Sequence, residues 1–168
     1  MLKAFPVLLF ITFCTGAISA EQSMECEAPQ YRQLDFWIGN WNVIDQTTGK
    51  QVGASRIEKQ LNGCLIHEFW NGTDQFTGQS FNLYNRETKH WQQVWVDSRG
   101  QRIDFTGQFH GDGLYYEGTF RSAGKEVLTK MTFLKIKDQR VRQIWEQSND
   151  QGESWKVVFD GLYVRTSK

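Results

Sequence analysis

Alternating polar and aromatic side chains on four segments are the residues of this sequence that could do chemistry. In an extended strand every second side chain points to the same face, so each segment has one face rich in tryptophan, amide and carboxylate groups. The nine members of this set are Glu68, Trp70, Asn82, Tyr84, Gln93, Trp95, Asp97, Gln143 and Trp145. A dry core would hold fewer polar groups, because each buried one requires a hydrogen-bond partner. The set therefore predicts a cavity that binds a small apolar or amphipathic ligand.

Two alternatives stay open for the same residues. The polar groups could bond one another and fill the interior, as in a structural protein, or Glu68 and Asp97 could act as acid and base in a small enzyme. Which face of each strand points inward is also open, because a one-residue bulge would exchange the inner and outer side chains of a strand. Arg142 and Glu146 would then point inward, and they are reserve site residues. We favour binding over catalysis and assign no catalytic residue.

The histidines do not form a metal-binding pattern. His67, His90 and His110 fall on different predicted strands or strand ends, and no two have the short spacing typical of metal sites. We therefore predict no metal and no cofactor.

The segment 148–155 has the spacing S-x-D-x-G-x-[ST]-W, which resembles the Asp-box of sialidases. A single copy on a short chain is interpreted as a hairpin turn, in which the Asp side chain bonds the backbone.

Turn residues recur roughly every ten positions, and strand-like segments lie between them. The pattern predicts strands near 41–46, 51–61, 64–71, 77–85, 90–98, 101–109, 114–121, 126–137, 140–148 and 154–165. A short helix is predicted before the first strand, because Pro29 suits a first turn and Tyr31, Leu34 and Ile38 lie on one side. Short connections favour an all-β, up-and-down antiparallel barrel of about ten strands, whose closure removes exposed edges. A flattened two-sheet sandwich is the alternative.

The first twenty residues have the features of an export signal. Lys3 supplies the positive start, an apolar segment follows over 4–13, and small residues lead to a cleavage site near Ala20. The apolar segment is too short for a membrane anchor. We therefore predict a signal peptide over 1–20 and a single barrel domain over 21–168, secreted or periplasmic and not inserted into a membrane.

The mature chain has almost no net charge. The full sequence has 19 basic and 19 acidic residues, and Lys3 is removed with the signal peptide. A near-neutral protein has little attraction for phosphate backbones, so we expect a small-molecule partner and no nucleic acid. The sequence does not indicate an oligomeric state.

Cys26 and Cys64 are the two cysteines that follow the predicted cleavage site. Export would place them in an oxidising compartment, so we predict a disulfide between them. Such a bridge would tie the N-terminal segment to the body of the fold and stabilise it by roughly 3–4 kcal/mol. Two buried free thiols are the alternative.

Several motifs of this chain resemble a family of exported, mostly bacterial proteins known only as a domain of unknown function. The resemblance extends over about 26–165. Its main motifs are F-W-I-G-N-W at 36–41, E-F-W-N-G at 68–72, W-Q-Q-V-W-V-D at 91–97 and R-V-R-Q-I-W-E at 140–146. This family has no established activity, so the resemblance implies export and a shared fold and leaves the activity open.

The F-W-x-G-x-W opening also resembles the start of calycins, the superfamily of lipocalins and fatty-acid-binding proteins. This resemblance implies a calycin-like barrel in which a tryptophan plugs one end beside a short helix. We therefore expect Trp37 and Trp41 to be structural rather than ligand-contacting. The haem-binding nitrobindins share the opening and use a late histidine as iron ligand. No histidine follows His110 here, which argues against haem.

Overall fold

The computed structural model describes residues 26–166, whose alternating buried and exposed side chains form ten antiparallel strands in one closed barrel. Each strand pairs with its sequence neighbours, and β1 pairs with β10 to close the barrel. The strands are β1 (Gly39–Asp45), β2 (Gln51–Gln60), β3 (Leu65–Gly72), β4 (Thr77–Asn85), β5 (His90–Asp97), β6 (Arg102–His110), β7 (Gly113–Ser122), β8 (Lys125–Ile136), β9 (Arg140–Ser148) and β10 (Lys156–Arg165). The segment 1–20, predicted as a signal peptide, lies outside the described residues.

The predicted up-and-down barrel is therefore confirmed, and each strand begins and ends within two residues of its predicted position. The predicted N-terminal helix consists of two 3-10 turns, Pro29–Arg32 and Asp35–Trp37. Neither turn has a side-chain cap, and Leu34 between them departs from helical geometry with φ −96° and ψ 7°. The two turns therefore do not merge into one longer helix. A further 3-10 turn, Leu61–Gly63, connects β2 to β3.

One end of the barrel is closed by the N-terminal segment. Leu34, Trp37 and Trp41 are fully buried there, and the Trp41 indole Nε1 donates a hydrogen bond to the Trp37 carbonyl oxygen at 2.8 Å. The guanidinium of Arg165 lies 4.4 Å from the centre of the Trp41 ring, and the Trp37 ring packs 4.5 Å from that of Phe133. Both tryptophans are thus part of the packed core, as the sequence predicts.

The predicted disulfide between Cys26 and Cys64 is present. Cys64 directly follows the turn between β2 and β3, so the bridge fastens the N-terminal segment to the closed end of the barrel. Within residues 26–166, no helix has the length and apolarity needed to cross a membrane.

Candidate functional site

The opposite end of the barrel contains a cavity of about 350 Å³. Its mouth lies beside the connection between β3 and β4, which belongs to the other end of the barrel from the disulfide. Aromatic and aliphatic side chains form most of its wall, and a few polar groups are added to them. The lining residues are Val52, Glu68, Trp70, Thr73, Asp74, Phe76, Trp95, Met131, Gln143, Trp145, Phe159 and Tyr163. This volume lies at the lower end of the range of small-molecule sites, about 300–1,000 Å³.

Two tryptophan rings lie flat against the wall of this cavity because each covers a glycine on the neighbouring strand. A Cβ atom added at Gly53 would fall 2.6 Å from Cη2 of Trp70, and one added at Gly78 would overlap the ring of Trp95. Any larger residue at these positions would push the rings toward the barrel axis. The two glycines therefore keep the cavity open while the rings form its surface.

The Trp145 ring is held against the wall by a different contact. Its indole Nε1 donates to the Thr129 hydroxyl on β8 at 2.5 Å. The Trp95 Nε1 similarly faces the Asp97 carboxylate at 3.4 Å. These contacts occupy the N–H groups of the two rings, so the indoles offer the cavity an apolar, electron-rich surface.

The Glu68 carboxyl group lies at the inner end of the cavity and is only 2% exposed. The Ser55 hydroxyl on β2 donates to its Oε1 and the Ser80 hydroxyl on β4 donates to its Oε2, each at 2.8 Å. Asn82 orients the second serine, because its Nδ2 donates to Ser80 Oγ at 2.9 Å. That N–H occupies an acceptor position of Ser80 and leaves the hydroxyl hydrogen free for Glu68. Both carboxyl oxygens of Glu68 are therefore met by hydrogen-bond donors.

Tyr163 on β10 completes this polar group. Its hydroxyl oxygen lies 2.5 Å from Gln143 Oε1 and 3.3 Å from Glu68 Oε1. A phenol has one hydrogen to donate, and the shorter contact assigns it to Gln143. Burial, together with the nearby Glu68 charge, raises the pKa of Tyr163 well above its ordinary value, so the phenol stays protonated.

Burial also raises the pKa of the Glu68 carboxyl group above its ordinary value of 4.5. The hydroxyls of Ser55 and Ser80 oppose this shift, because hydrogen bonds to the charged form stabilise it. Among residues 26–166, no lysine, arginine or histidine forms a salt bridge with Glu68. The site can therefore hold a proton at Glu68 or attract a positively charged group to it.

The structure brings together five of the nine side chains predicted from alternation. Glu68, Trp70, Trp95, Gln143 and Trp145 line the cavity.

Asn82 and Gln93 also point inward and are buried, but they lie deeper in the barrel than the cavity wall. Tyr84 and Asp97 lie elsewhere. Tyr84 packs at the closed end, where its ring centre is 5.3 Å from that of Tyr31. Asp97 ends β5 and accepts backbone hydrogen bonds from Arg99 and Gln101 in its own turn. Alternation indicates which face of a strand a side chain occupies, but it does not indicate how far along the barrel the side chain lies. The expectation that Tyr84 and Asp97 line the cavity therefore differs from the structure.

The reserve residues Arg142 and Glu146 do not line the cavity. Arg142 pairs with Asp160 on the neighbouring strand β10, with Nε 2.8 Å from Oδ1 and Nη2 2.6 Å from Oδ2. A bulge does occur, between Val157 and Phe159 on β10, and it leaves the facing of β9 as expected. The side chains of Gln143 and Trp145 therefore keep the inner face of β9.

Several residues of this site, or in contact with it, were not assigned to it from the sequence. Ser55 and Tyr163 contact Glu68, and Met131 and Phe159 form part of the wall. Alternation could have predicted that Tyr163 points inward, because it follows Phe159 and Gly161 at two-residue spacing on the inner face of β10. Nothing in the sequence alone indicates the contact of Ser55 with Glu68, since it depends on the register between β2 and β3.

The remaining motifs have structural explanations. His67 is buried on the outer face between the rings of Phe69 and Phe81, and its Nε2 lies 2.8 Å from Gln79 Oε1. Throughout the described part of the chain, no three His, Cys, Asp or Glu side chains are grouped so that they could hold a metal ion.

The Asp-box-like segment forms the turn between β9 and β10. Asp150 Oδ1 accepts hydrogen bonds from the Ser148 hydroxyl at 2.6 Å and the Ser154 backbone N–H at 3.0 Å. These bonds and that of the Ser154 hydroxyl lower the pKa of Asp150 to about 2. All of these contacts lie within the turn itself, so the segment serves as a hairpin connection.

No protein-family model matches this chain, and no curated protein matches it. The closed antiparallel barrel is compatible with a calycin-like fold. The geometry of the cavity is therefore the basis for a functional assignment.

Proposed function

We propose that this protein binds a small apolar or amphipathic molecule in the cavity at the open end of the barrel, outside the cytoplasm. The observation that carries the proposal is the combination of aromatic rings laid against the wall with one buried carboxyl group at the inner end. A mostly apolar surface with a few converging polar groups is typical of small-molecule sites. The disulfide between Cys26 and Cys64 supports a location in an oxidising compartment.

Two contacts argue for a cavity rather than a filled structural barrel. The glycines beneath Trp70 and Trp95 allow both rings to lie back from the axis. A barrel interior under selection for stability alone gains from being filled, because each cavity loses dispersion contacts. Gly53 and Gly78 instead give two of the largest side chains room against the wall, and the cavity lies in front of those rings.

Of the two carboxylates considered for acid–base catalysis, Glu68 is the one that lines the cavity. Burial raises its pKa, as expected of a general acid or base. The other candidate carboxylate, Asp97, is bound to its own turn. Within residues 26–166, Tyr163 is the titratable side chain in contact with Glu68, and its pKa is raised well above its ordinary value. The contacts around Glu68 therefore support orientation of a ligand better than a two-group acid–base mechanism.

A titration with N-phenyl-1-naphthylamine, an uncharged fluorescent probe, tests the proposal. The wild-type protein should bind it with increased probe emission. Val52→Trp places a large ring at the cavity and should weaken binding by at least about tenfold. Val157→Trp is the matched control, because Val157 is exposed and lies outside the cavity. Absence of binding to the wild type, or equal loss in both variants, would contradict the proposal.

A further inference from the structure

The environment of Glu68 is arranged for an anion and lacks a cation. Donor hydrogens of Ser55 and Ser80 are directed at both carboxyl oxygens, and Asn82 fixes the direction of the second. The two serines can donate to both oxygens only when the group is ionised, because a neutral carboxylic acid would use one oxygen to donate and that serine would have to turn its hydrogen away and accept. Yet the group is almost fully buried, and none of the basic side chains in residues 26–166 pairs with it.

The space in front of this carboxyl group is bounded by aromatic faces. The rings that line it are those of Trp70, Phe76, Trp95, Trp145, Phe159 and Tyr163. Trp70 and Phe159 meet edge to face with ring centres 5.8 Å apart, and Phe76 and Trp95 lie 6.4 Å apart at a tilted angle. Aromatic faces attract cations through their negative quadrupole, most strongly in tryptophan and in sites that exclude water.

We propose that the ligand is an amphipathic ammonium compound whose positive nitrogen lies against Glu68 while its apolar part contacts the tryptophan rings. This inference rests on the proposed binding function and names the chemical class of the ligand. The ammonium supplies the missing countercharge, and the surrounding aromatic faces favour a cation over an anion of the same size. A small aryl-alkyl amine matches both the cavity volume and its aromatic wall.

The mouth of the cavity already contains a cation on an aromatic ring. The Arg99 guanidinium lies 4.5 Å from the centre of the Phe76 ring and 3.8 Å from the Asp74 carboxylate. Arg99 and Asp74 are both exposed, so their opposite charges compensate each other in solvent. The mouth pair therefore leaves the buried Glu68 as the dominant charge for a ligand inside the cavity.

Binding of such a ligand should depend on pH through Glu68. Protonation of Glu68 removes the countercharge, so ammonium affinity should fall as the pH is lowered through the pKa of this group. In the described part of the chain, the charged or titratable groups that face it are Tyr163, which stays protonated, and the Asp74–Arg99 pair at the mouth. An uncharged ligand of the same shape should show no such dependence.

Isothermal titration calorimetry with three matched compounds tests the inference. The compounds are 2-phenylethylammonium, its uncharged analogue 2-phenylethanol, and the anion 3-phenylpropanoate. We expect the wild type to bind the ammonium compound at least about tenfold more tightly than the alcohol, and the anion most weakly. Glu68→Gln should abolish the preference for the ammonium compound while the alcohol still binds. Glu117→Gln, an exposed substitution of the same kind on β7, should retain the preference.

The outcomes separate the two proposals. If ammonium and alcohol bind the wild type equally while N-phenyl-1-naphthylamine also binds, the ammonium inference is overturned and the binding function stands. If the wild type binds none of the four compounds, both are overturned. If Glu68→Gln does not fold, the pH dependence in the wild type decides. Ammonium affinity that does not change with pH overturns the inference, and affinity that falls with acidification while alcohol affinity is constant supports it.

Discussion

Tryptophan side chains fill one end of this barrel and line the other. At the closed end Trp37 and Trp41 are fully buried, with the Trp41 indole bonded to the Trp37 backbone. At the open end Trp70 and Trp95 lie flat over glycines and border a cavity. The same residue type is thus packed into the core in one place and borders a cavity in the other.

The difference lies in the neighbours of each ring. Trp37 packs against Phe133 and Trp41 beneath Arg165, so both rings are enclosed by large side chains. The open-end rings instead face glycines on their wall side, where a Cβ atom would displace them. A tryptophan in a barrel can therefore be classified as filling or lining from the size of its cross-strand neighbours, once the register is known.

Removing a ring from the closed end should have the largest effect on stability. Trp41→Ala should lower the free energy of unfolding by about 3–5 kcal/mol, because it deletes a fully buried indole. Trp145→Ala at the open end should cost less, since that ring borders a cavity and is only partly buried. Urea unfolding followed by circular dichroism measures both. Equal losses would show that the two ends do not differ in the way described.

A substitution beneath a ring that lines the cavity should lower stability less than Trp41→Ala does, and it should also weaken binding of the probe. Gly78→Ala should destabilise by about 1–3 kcal/mol, because the added methyl group overlaps the Trp95 ring and forces it toward the axis. Binding of N-phenyl-1-naphthylamine should weaken in parallel. The double variant Gly78→Ala/Trp95→Leu should lose less stability than the sum of the two single variants. Strict additivity would argue against the contact between Gly78 and the ring.

Glu68 should make stability depend on pH in the absence of ligand. The unfolded chain releases this proton near the ordinary pKa of 4.5, whereas burial raises the pKa in the folded protein. Between the two pKa values the folded state binds more protons, so stability should fall as the pH rises. Glu68→Gln should reduce this slope relative to the wild type. Urea titrations from pH 4 upward measure it, and an unchanged slope would place the titrating group elsewhere.

The smallest effect is expected at the turn that joins β9 and β10 at the open end. Hydrogen bonds from Ser148 and Ser154 lower the pKa of Asp150 to about 2. The stabilisation from these bonds should be complete above the ordinary pKa of 3.8 and should be lost as the pH falls toward 2. NMR titration of the Asp150 carboxyl carbon measures the midpoint directly. A midpoint near 3.8 would show that the side chain does not hold the turn.

The inward facing of Glu68, Trp95 and Gln143 could be predicted from the sequence, because the two-residue period of a strand is fixed by its backbone. The height of each side chain along the barrel could not be predicted in this way. Tyr84 and Asp97 were expected in the cavity, but they lie at the two ends of the barrel.

The glycine contacts could not be predicted either. Gly78 meets the Trp95 ring only because β4 and β5 pair with Gly78 opposite Asp97 and Ser80 opposite Trp95. Ser55 contacts Glu68 for the same kind of reason, since Ser55 pairs with Trp70 and Ile57 with Glu68 across β2 and β3. Such contacts depend on strand register, which hydrophobic alternation alone does not fix.

The indole N–H resonances of the seven tryptophans offer the most direct test of the cavity as the binding site. A ¹⁵N–¹H NMR titration with N-phenyl-1-naphthylamine would observe each indole separately, after assignment by single substitution. We predict that the resonances of Trp70, Trp95 and Trp145 shift as the probe binds, while those of Trp37 and Trp41 stay in place. Shifts at the closed end with none at the open end, or no shift at any tryptophan, would contradict a ligand-binding cavity lined by the open-end rings.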